Sequence, residues 1–342
     1  MKINVGIIGA SGYTGAELMR LLALHPNFTL KAATADSQAG KQVHHLYPSL
    51  GSNSLTLRKL EDAMSALSEC EVIFCALPHG EAMSTLGKLS NRLIIDLGSD
   101  FRLPYKELYT EWYKREHTAP SELGKWAYGL TELFRSEISP SSRIANPGCY
   151  ATAVIAALAP LYRADLVEPI AVVDAVSGIS GAGRNPGPAY HLPHAYEDVR
   201  SYKVASHQHT PEMEMGVEKF SAKKVTISFT PHLVPMSRGI HATCSAPLRT
   251  SATFKGVIEA LRDTYSNEPF IHVCDQPPGT KEVRGSNSIR ISPVIDARSG
   301  RVIVTSVLDN LVKGAAGQAI QNANLALGLD ERTGLPVEGV YP

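Results

Sequence analysis

Cysteine is scarce in this 342-residue sequence: the five, at positions 70, 75, 149, 244 and 274, are odd in number and form no Cys-x-x-Cys pair. That excludes both a disulfide framework and a zinc knuckle. An excess of one charge is equally absent, since Lys plus Arg and Asp plus Glu each total 33. Without a basic surplus there is nothing to hold a polyanionic backbone, so no nucleic-acid partner is expected. No apolar run approaches a membrane span, and residues 1–10 pass straight into an apolar strand pattern without a basic region or cleavage site. A cytoplasmic chain without a membrane partner is the expectation. Charge blocks, low-complexity tracts and internal repeats are also missing. Hydrophobic residues make up 44% and charged residues 19%, which suits a globular enzyme large enough for two cores.

Strand and helix signals alternate over the first 148 residues: strand Ile3–Ile8, helix Gly15–Leu24, strand Leu30–Ala35, helix Leu60–Leu67, strand Val72–Ala76, helix Glu81–Leu89, strand Leu93–Leu97. That order predicts a parallel, doubly wound sheet. Between Asp100 and Ser142 an irregular aromatic excursion (Phe101, Tyr105, Tyr109, Trp112, Tyr113, Trp126, Tyr128) is expected to pack on the sheet before strand Arg143–Ala145.

From Cys149 the pattern changes to a small-residue helix, Ala151–Tyr162, followed by strands Ile170–Ala175, Val225–Phe229, Ile240–Ala246, Phe270–Val273, Ile289–Ile295 and Val302–Leu308. With helices Pro211–Phe220 and Thr253–Tyr265 between them, these predict an α+β domain whose mixed, mainly antiparallel sheet is covered on one face. The Gly-, Ala-, Asn- and Gln-rich helix Lys313–Gly328 is expected to return to the first domain. The fold class is therefore α/β: a Rossmann dinucleotide-binding domain of residues 1–148 completed by 310–342, and a catalytic and oligomerisation domain of residues 149–309.

Gly9-Ala10-Ser11-Gly12-Tyr13-Thr14-Gly15 follows the first strand and opens a helix, where glycines permit a tight turn and bring backbone N–H groups onto a pyrophosphate. The spacing departs from G-x-G-x-x-G, so the surrounding βαβ order is what makes it informative. At the end of the second strand Asp36 suits the ribose hydroxyl of NAD, while Ser37 and Lys41 offer a hydroxyl and a cation to the 2′-phosphate of NADP. Chemistry alone leaves both cofactors open.

Cys149 stands at a turn into a helix, where unpaired N–H groups and the helix dipole favour a thiolate. An inert, packed cysteine would occupy the same place. His207 and His209 flank Gln208, so an extended segment would turn both imidazoles to one side, ready to exchange a proton with a thiol. Glu212 would complete a metal trio, but no further clustered ligand follows, and no metal is expected. His241 is a reserve base.

The run Ile144-Ala-Asn-Pro-Gly-Cys149-Tyr-Ala-Thr152 resembles the active-site signature of the N-acetyl-γ-glutamyl-phosphate reductases, type 1. Eight further segments resemble that family in order, beginning at Gly9, Asp96, Ala127, Ser177, His207, Phe229, Ser237 and Asp309, so the resemblance covers nearly the whole chain. The plan is similar to that of aspartate-semialdehyde and glyceraldehyde-phosphate dehydrogenases. The resemblance implies NADPH-dependent reduction of a small acyl phosphate, N-acetylglutamyl phosphate, to its semialdehyde in arginine biosynthesis. Cys149 would carry a thioester, and His207 or His209 would exchange the proton.

On this reading NADP(H) is held by Gly9, Ser11, Gly12, Tyr13, Thr14, Gly15, Ser37 and Lys41. Gly181 joins them from the small-residue run Ser177–Arg184, whose backbone suits an anion, and the family implies Asn310 at the nicotinamide. Arg102, Arg184 and Arg238, whose forks match carboxylate and phosphate, are the expected substrate residues together with Ser180. A homodimer or homotetramer is expected, because a sheet covered on one side leaves a face to bury. Two departures from the family stand out: Asp36 near the 2′-phosphate position, and Gln208 where a basic residue is common. The alternatives are a reductase of an aminoadipyl phosphate, one methylene longer, and a non-catalytic NADP-sensing regulator.

Overall fold

The computed structural model describes residues 2–51, 53–184, 187 and 190–341. The chain forms two compact units, Met1–Pro147 with Ala315–Leu335 and Gly148–Gly314 with Pro336–Pro342.

In the first unit β1 (Ile3–Ile8), β2 (Phe28–Ala33), β3 (Val72–Cys75), β4 (Leu93–Asp96), β5 (Ala127–Tyr128) and β6 (Arg143–Ala145) form an all-parallel sheet in the order β2-β1-β3-β4-β6-β5. β3 and β4 are buried along their whole length, which is why they read as continuous apolar runs. β2 lies on one side of β1 and β3 on the other, so the turn after β1 opens at the topological switch point where dinucleotides bind in such sheets.

The aromatic excursion contains two helices, Lys106–Tyr113 and Thr131–Ile138, and strand β5. Phe101 stacks on Trp126 at 4.3 Å and Tyr109 on Tyr113 at 4.5 Å. Buried Asp100 accepts from the amides of Gly80 and Ala82 and from the Tyr109 hydroxyl, tying the excursion to the loop after β3. Charged and aromatic residues break the 3.6-residue apolar spacing of these helices, so the pattern did not announce them.

The second unit holds β7 (Ile170–Gly178), β8 (Arg200–Ser201), β9 (Thr226–Val234), β10 (Ile240–Pro247), β11 (Ile271–Val273), β12 (Ile289–Asp296) and β13 (Arg301–Leu308), in the order β11-β12-β13-β10-β7-β9-β8. The β7–β9 and β11–β12 pairs are parallel and the other four antiparallel. Helix Cys149–Arg163 packs on β10 and β13 and is flanked by helices His209–Ser221 and Phe254–Tyr265. That enclosure explains its all-round apolar sequence, with every residue from Tyr150 to Tyr162 buried. A side chain at Gly216 would collide with Ile155, so glycine sets how closely the two helices approach. The opposite face of the sheet is open in this chain: Ile170 is 49% and Val294 44% exposed.

Two boundaries differ from the expectation. Residues 310–314 and 336–341 belong with the second unit, the tail being tied there by Asn287 N–H to the Pro336 carbonyl and Val340 N–H to the Arg284 carbonyl. The expected helix Lys313–Gly328 is a π-helical turn, Val312–Ala316, followed by α-helix Gly317–Ala326. The latter completes the first unit through Asn322, which bonds Thr131, the Gly129 carbonyl and Asn146. Among the described residues no helix is long and apolar enough to cross a membrane.

Candidate active site

Two glycines shape the turn after β1. Gly9 has φ +86°, and a side chain there would strike the Ala76 carbonyl; a Cβ on Gly15 would lie 2.6 Å from the Ala10 Cα. Gly12 is the N-cap of helix Tyr13–Leu24 and makes no side-chain cap, which suits first-turn amides that an anion would use. Tyr47, which sequence reasoning missed, donates its hydroxyl to the carbonyls of Ser11 (2.6 Å) and Gly12 (3.2 Å) and braces the turn. It stands 35 residues away, with no motif to mark it. Asp36, Ser37 and Lys41 are exposed on the turn after β2, where the Lys41 ammonium donates to Gln38 Oε1 at 2.9 Å.

Arg102 is buried in the first unit, its Nε donating to the Asn146 carbonyl (2.8 Å) and Nη2 to that of Leu97 (3.0 Å). Its guanidinium thus braces the segment that leads into Cys149. Nearby, burial and then the Asp100 carboxylate push the Asp96 carboxyl up to about 7.

In the second unit Cys149 is the first residue of helix Cys149–Arg163, behind Gly148 as an N-cap without a side-chain cap. The thiol therefore sits at the positive end of a 15-residue helix. The Gly148 N–H donates to Oε1 of buried Glu212 at 2.8 Å, in the first turn of the neighbouring helix His209–Ser221.

The histidine pair comes together differently from the expectation. The segment is not extended: Gln208 has right-handed helical backbone angles and His209 opens the helix. The His209 N–H donates to His207 Nδ1 at 3.1 Å, and the rings meet edge to face at 4.8 Å. That bond holds His207 with Nδ1 as an acceptor. Tyr150, next after the thiol, lies 5.6 Å from the His207 ring and 6.0 Å from the His209 ring. Tyr202 donates to the Tyr150 hydroxyl at 3.1 Å, and burial raises both phenols, so they stay protonated. Helix packing brings the pair to the Cys149 end. His241 alternates with buried Ile240 and Ala242 along β10 and faces the other side of the sheet. Among the described residues no group of His, Cys, Asp and Glu could hold a metal ion.

Ser180, Gly181, Arg238 and Asn310 are brought together at one end of the second sheet. The Gly178, Ile179 and Ser180 amides donate to the Gly239, Met236 and Ser237 carbonyls, lacing two loops together. A side chain at Gly181 would press on Ser177 Oγ. Arg184 is exposed at the end of this run, and residues 185–186 beyond it lie outside the described ones. Asn310, expected at the nicotinamide, accepts the Gly239 N–H (2.7 Å) and donates to Ser180 Oγ (3.0 Å).

Residues 4–141 match the family model described as semialdehyde dehydrogenase, NAD binding domain, and residues 149–310 match semialdehyde dehydrogenase, dimerisation domain. Aspartate semialdehyde dehydrogenase II from Vibrio cholerae has the same fold, with a TM-score of 0.73 at 16% identity over 96% of this chain and 99% of that one. The Candida albicans enzyme, solved with NADP, gives 0.64 at 17% over 95% and 98%. These define the class as a semialdehyde dehydrogenase fold. The N-acetyl-gamma-glutamyl-phosphate reductase of Desulforamulus reducens is 46% identical over 99% of this chain and 100% of its own length. That of Pelotomaculum thermopropionicum is 44% identical over the whole of both, and the probable chloroplastic one of Arabidopsis thaliana 42% identical over 99% and 86%. The chain belongs to the N-acetyl-gamma-glutamyl-phosphate reductase family.

Proposed function

We infer that this chain catalyses the NADPH-dependent reduction of N-acetyl-γ-glutamyl phosphate to N-acetylglutamate 5-semialdehyde and phosphate, a step of arginine biosynthesis, through a thioester on Cys149. The observation that carries the chemistry is Cys149 as the first residue of a buried helix whose N-terminal turn is bonded to the His207–Glu212 segment. In this reading the Cys149 thiolate attacks the acyl carbon, the carbon–oxygen bond to phosphate breaks, and inorganic phosphate leaves with the electron pair. When bound, the dinucleotide supplies the hydride that reduces the thioester. The paired imidazoles of His207 and His209 take the thiol proton and exchange it with the substrate oxygen, and collapse of the thiohemiacetal frees the aldehyde and regenerates the thiolate. Ser180, Arg184 and Arg238, together with Arg102, are assigned to the anionic groups of the substrate.

The turn Gly9–Gly15 fits a pyrophosphate, because Gly9 and Gly15 admit no side chain and Tyr47 braces the Ser11 and Gly12 carbonyls. We assign NADP rather than NAD on the exposed Ser37 hydroxyl and Lys41 ammonium beside Asp36. A homodimer or homotetramer would cover the open sheet face, where Ile170 and Val294 are exposed. Five cysteines that form no disulfide suit the reducing cytoplasm.

The test is nicotinamide absorbance in the reverse direction, with the semialdehyde, phosphate and NADP or NAD, beside Cys149→Ser. Phosphate-dependent NADP reduction that the substitution abolishes is expected. Turnover only with the aldehyde one methylene longer would move the assignment to an aminoadipyl substrate. No turnover with either would leave a cofactor-binding regulator.

A further inference from the structure

Asp309 has no part in the reaction as drawn, yet its carboxylate is wholly buried and gathers donors from three segments. Oδ1 accepts the amides of Leu311 (2.8 Å) and Val312 (3.2 Å), as an Asx turn does at the start of a helical segment. Oδ2 accepts the Gly285 amide at 2.7 Å and pairs with Arg238 Nη1 at 3.6 Å. Arg238, with a side chain 29% exposed, is thus tethered from its buried side, with part of its surface left open to solvent.

The next residue acts on the adjoining loop. Only the amide oxygen of Asn310 can accept the Gly239 N–H, and this fixes its Nδ2 toward Ser180 Oγ. A serine hydroxyl that accepts there keeps its single proton to donate elsewhere. Ser180 and Arg238 belong to the two laced loops, Ser180 N–H donating to the Ser237 carbonyl at 3.2 Å. Both side chains are therefore presented as donors, held by consecutive residues at the end of β13.

We propose that Asp309 and Asn310 are a positioning pair: Asp309 sets the Arg238 guanidinium and Asn310 the Ser180 hydroxyl, so that both close on one anionic oxygen group of the substrate. This rests on the assignment of Arg238 and Ser180 to substrate under the function proposed above. The carboxylate of the aldehyde and inorganic phosphate share this chemistry, and the reverse reaction separates them, since each has its own KM.

In Asp309→Asn the KM of one of the two is expected to rise about tenfold, the effect of loosening a charge-assisted contact, with kcat within about twofold of wild type. The KM affected identifies the group that Arg238 holds. Arg238→Gln should raise the same KM, and adding Asp309→Asn to it should change that KM no further. Asp309→Glu keeps the charge and should show an intermediate KM at wild-type kcat, which reads the effect should Asp309→Asn not fold. A fall in kcat with both KM values unchanged, or additive effects in the double variant, would overturn the pairing. If wild type shows no turnover, the proposed function fails by itself. Calorimetric binding of N-acetylglutamate and of inorganic phosphate then decides: about tenfold weaker binding of one of the two in the Asp309 variants supports the positioning role, while equal or undetectable binding of both ends it.

Discussion

Gly314 lies against Cys149: a Cβ built on Gly314 would stand 2.8 Å from the Cys149 Cβ and 3.3 Å from the Asp309 carbonyl. The π-helical turn Val312–Ala316 carries this glycine, a distortion often found at functional sites. Only a residue without a side chain leaves the thiol where the helix N-terminus places it. Gly314→Ala is expected to lower kcat about 100-fold by displacing the nucleophile, and to slow alkylation of Cys149 by iodoacetamide. Wild-type kcat in a folded variant would show that the thiol has room to spare.

Tyr47 should matter for the cofactor alone. Its hydroxyl is shared between the Ser11 and Gly12 carbonyls, and losing one neutral hydrogen bond costs about 1 kcal/mol, or about fivefold in affinity. For Tyr47→Phe we expect that rise in the KM for NADP(H), with the substrate KM and kcat unchanged. Steady-state kinetics with each substrate varied in turn would check it, and an unchanged cofactor KM would refute it.

Asp96 gives the fold a stability term of unusual sign. Burial raises its carboxyl to about 7, above the value near 4 of an unfolded chain. Between those values the folded state binds the proton more tightly, so this contribution is present at low pH and lost as pH rises to about 7. Asp96→Asn should therefore raise the melting temperature more at pH 8 than at pH 5, read by calorimetry at both. Equal changes would mean that the carboxyl is not held protonated.

His25 works in the opposite direction. It stacks on Phe28 at 4.0 Å, its Nδ1 accepts the amides of Asn27 and Phe28, and its Nε2 faces Asn324 Oδ1 at 3.0 Å. Burial lowers its pKa below the ordinary 6.5, so its contribution is complete above that value and is lost as pH falls below it. Between pH 7.5 and 5.5 the melting temperature should fall less in His25→Gln than in wild type. An equal or larger fall in the variant would assign the acid sensitivity elsewhere.

Sequence by itself determined the parts whose physics is local. Apolar periodicity exposed the strands of both sheets except the two-residue β5 and β8, because buried parallel strands such as β3 and β4 must be apolar throughout and half-buried ones such as β7 must alternate. The Gly9–Gly15 turn and Cys149 at a helix start were legible for the same reason: a tight turn and a helix N-terminus are built from adjacent residues. The excursion helices Lys106–Tyr113 and Thr131–Ile138 were not, since partners such as Trp126 for Phe101 arrive from distant positions.

Tertiary structure alone decided how the candidate groups are held. His207 and His209 meet through a turn into a helix rather than by strand alternation. Arg102 spends donors on the Asn146 and Leu97 carbonyls, and Asn310 turns its amide to Ser180 and Gly239. Tyr47 and Asp309 carry no motif for these roles, because a hydrogen bond spanning 36 or 24 residues leaves no periodic trace in the chain. Residue types that can do chemistry follow from composition and spacing; which donors are already taken depends on atoms that only the folded chain brings within 3 Å or so of one another.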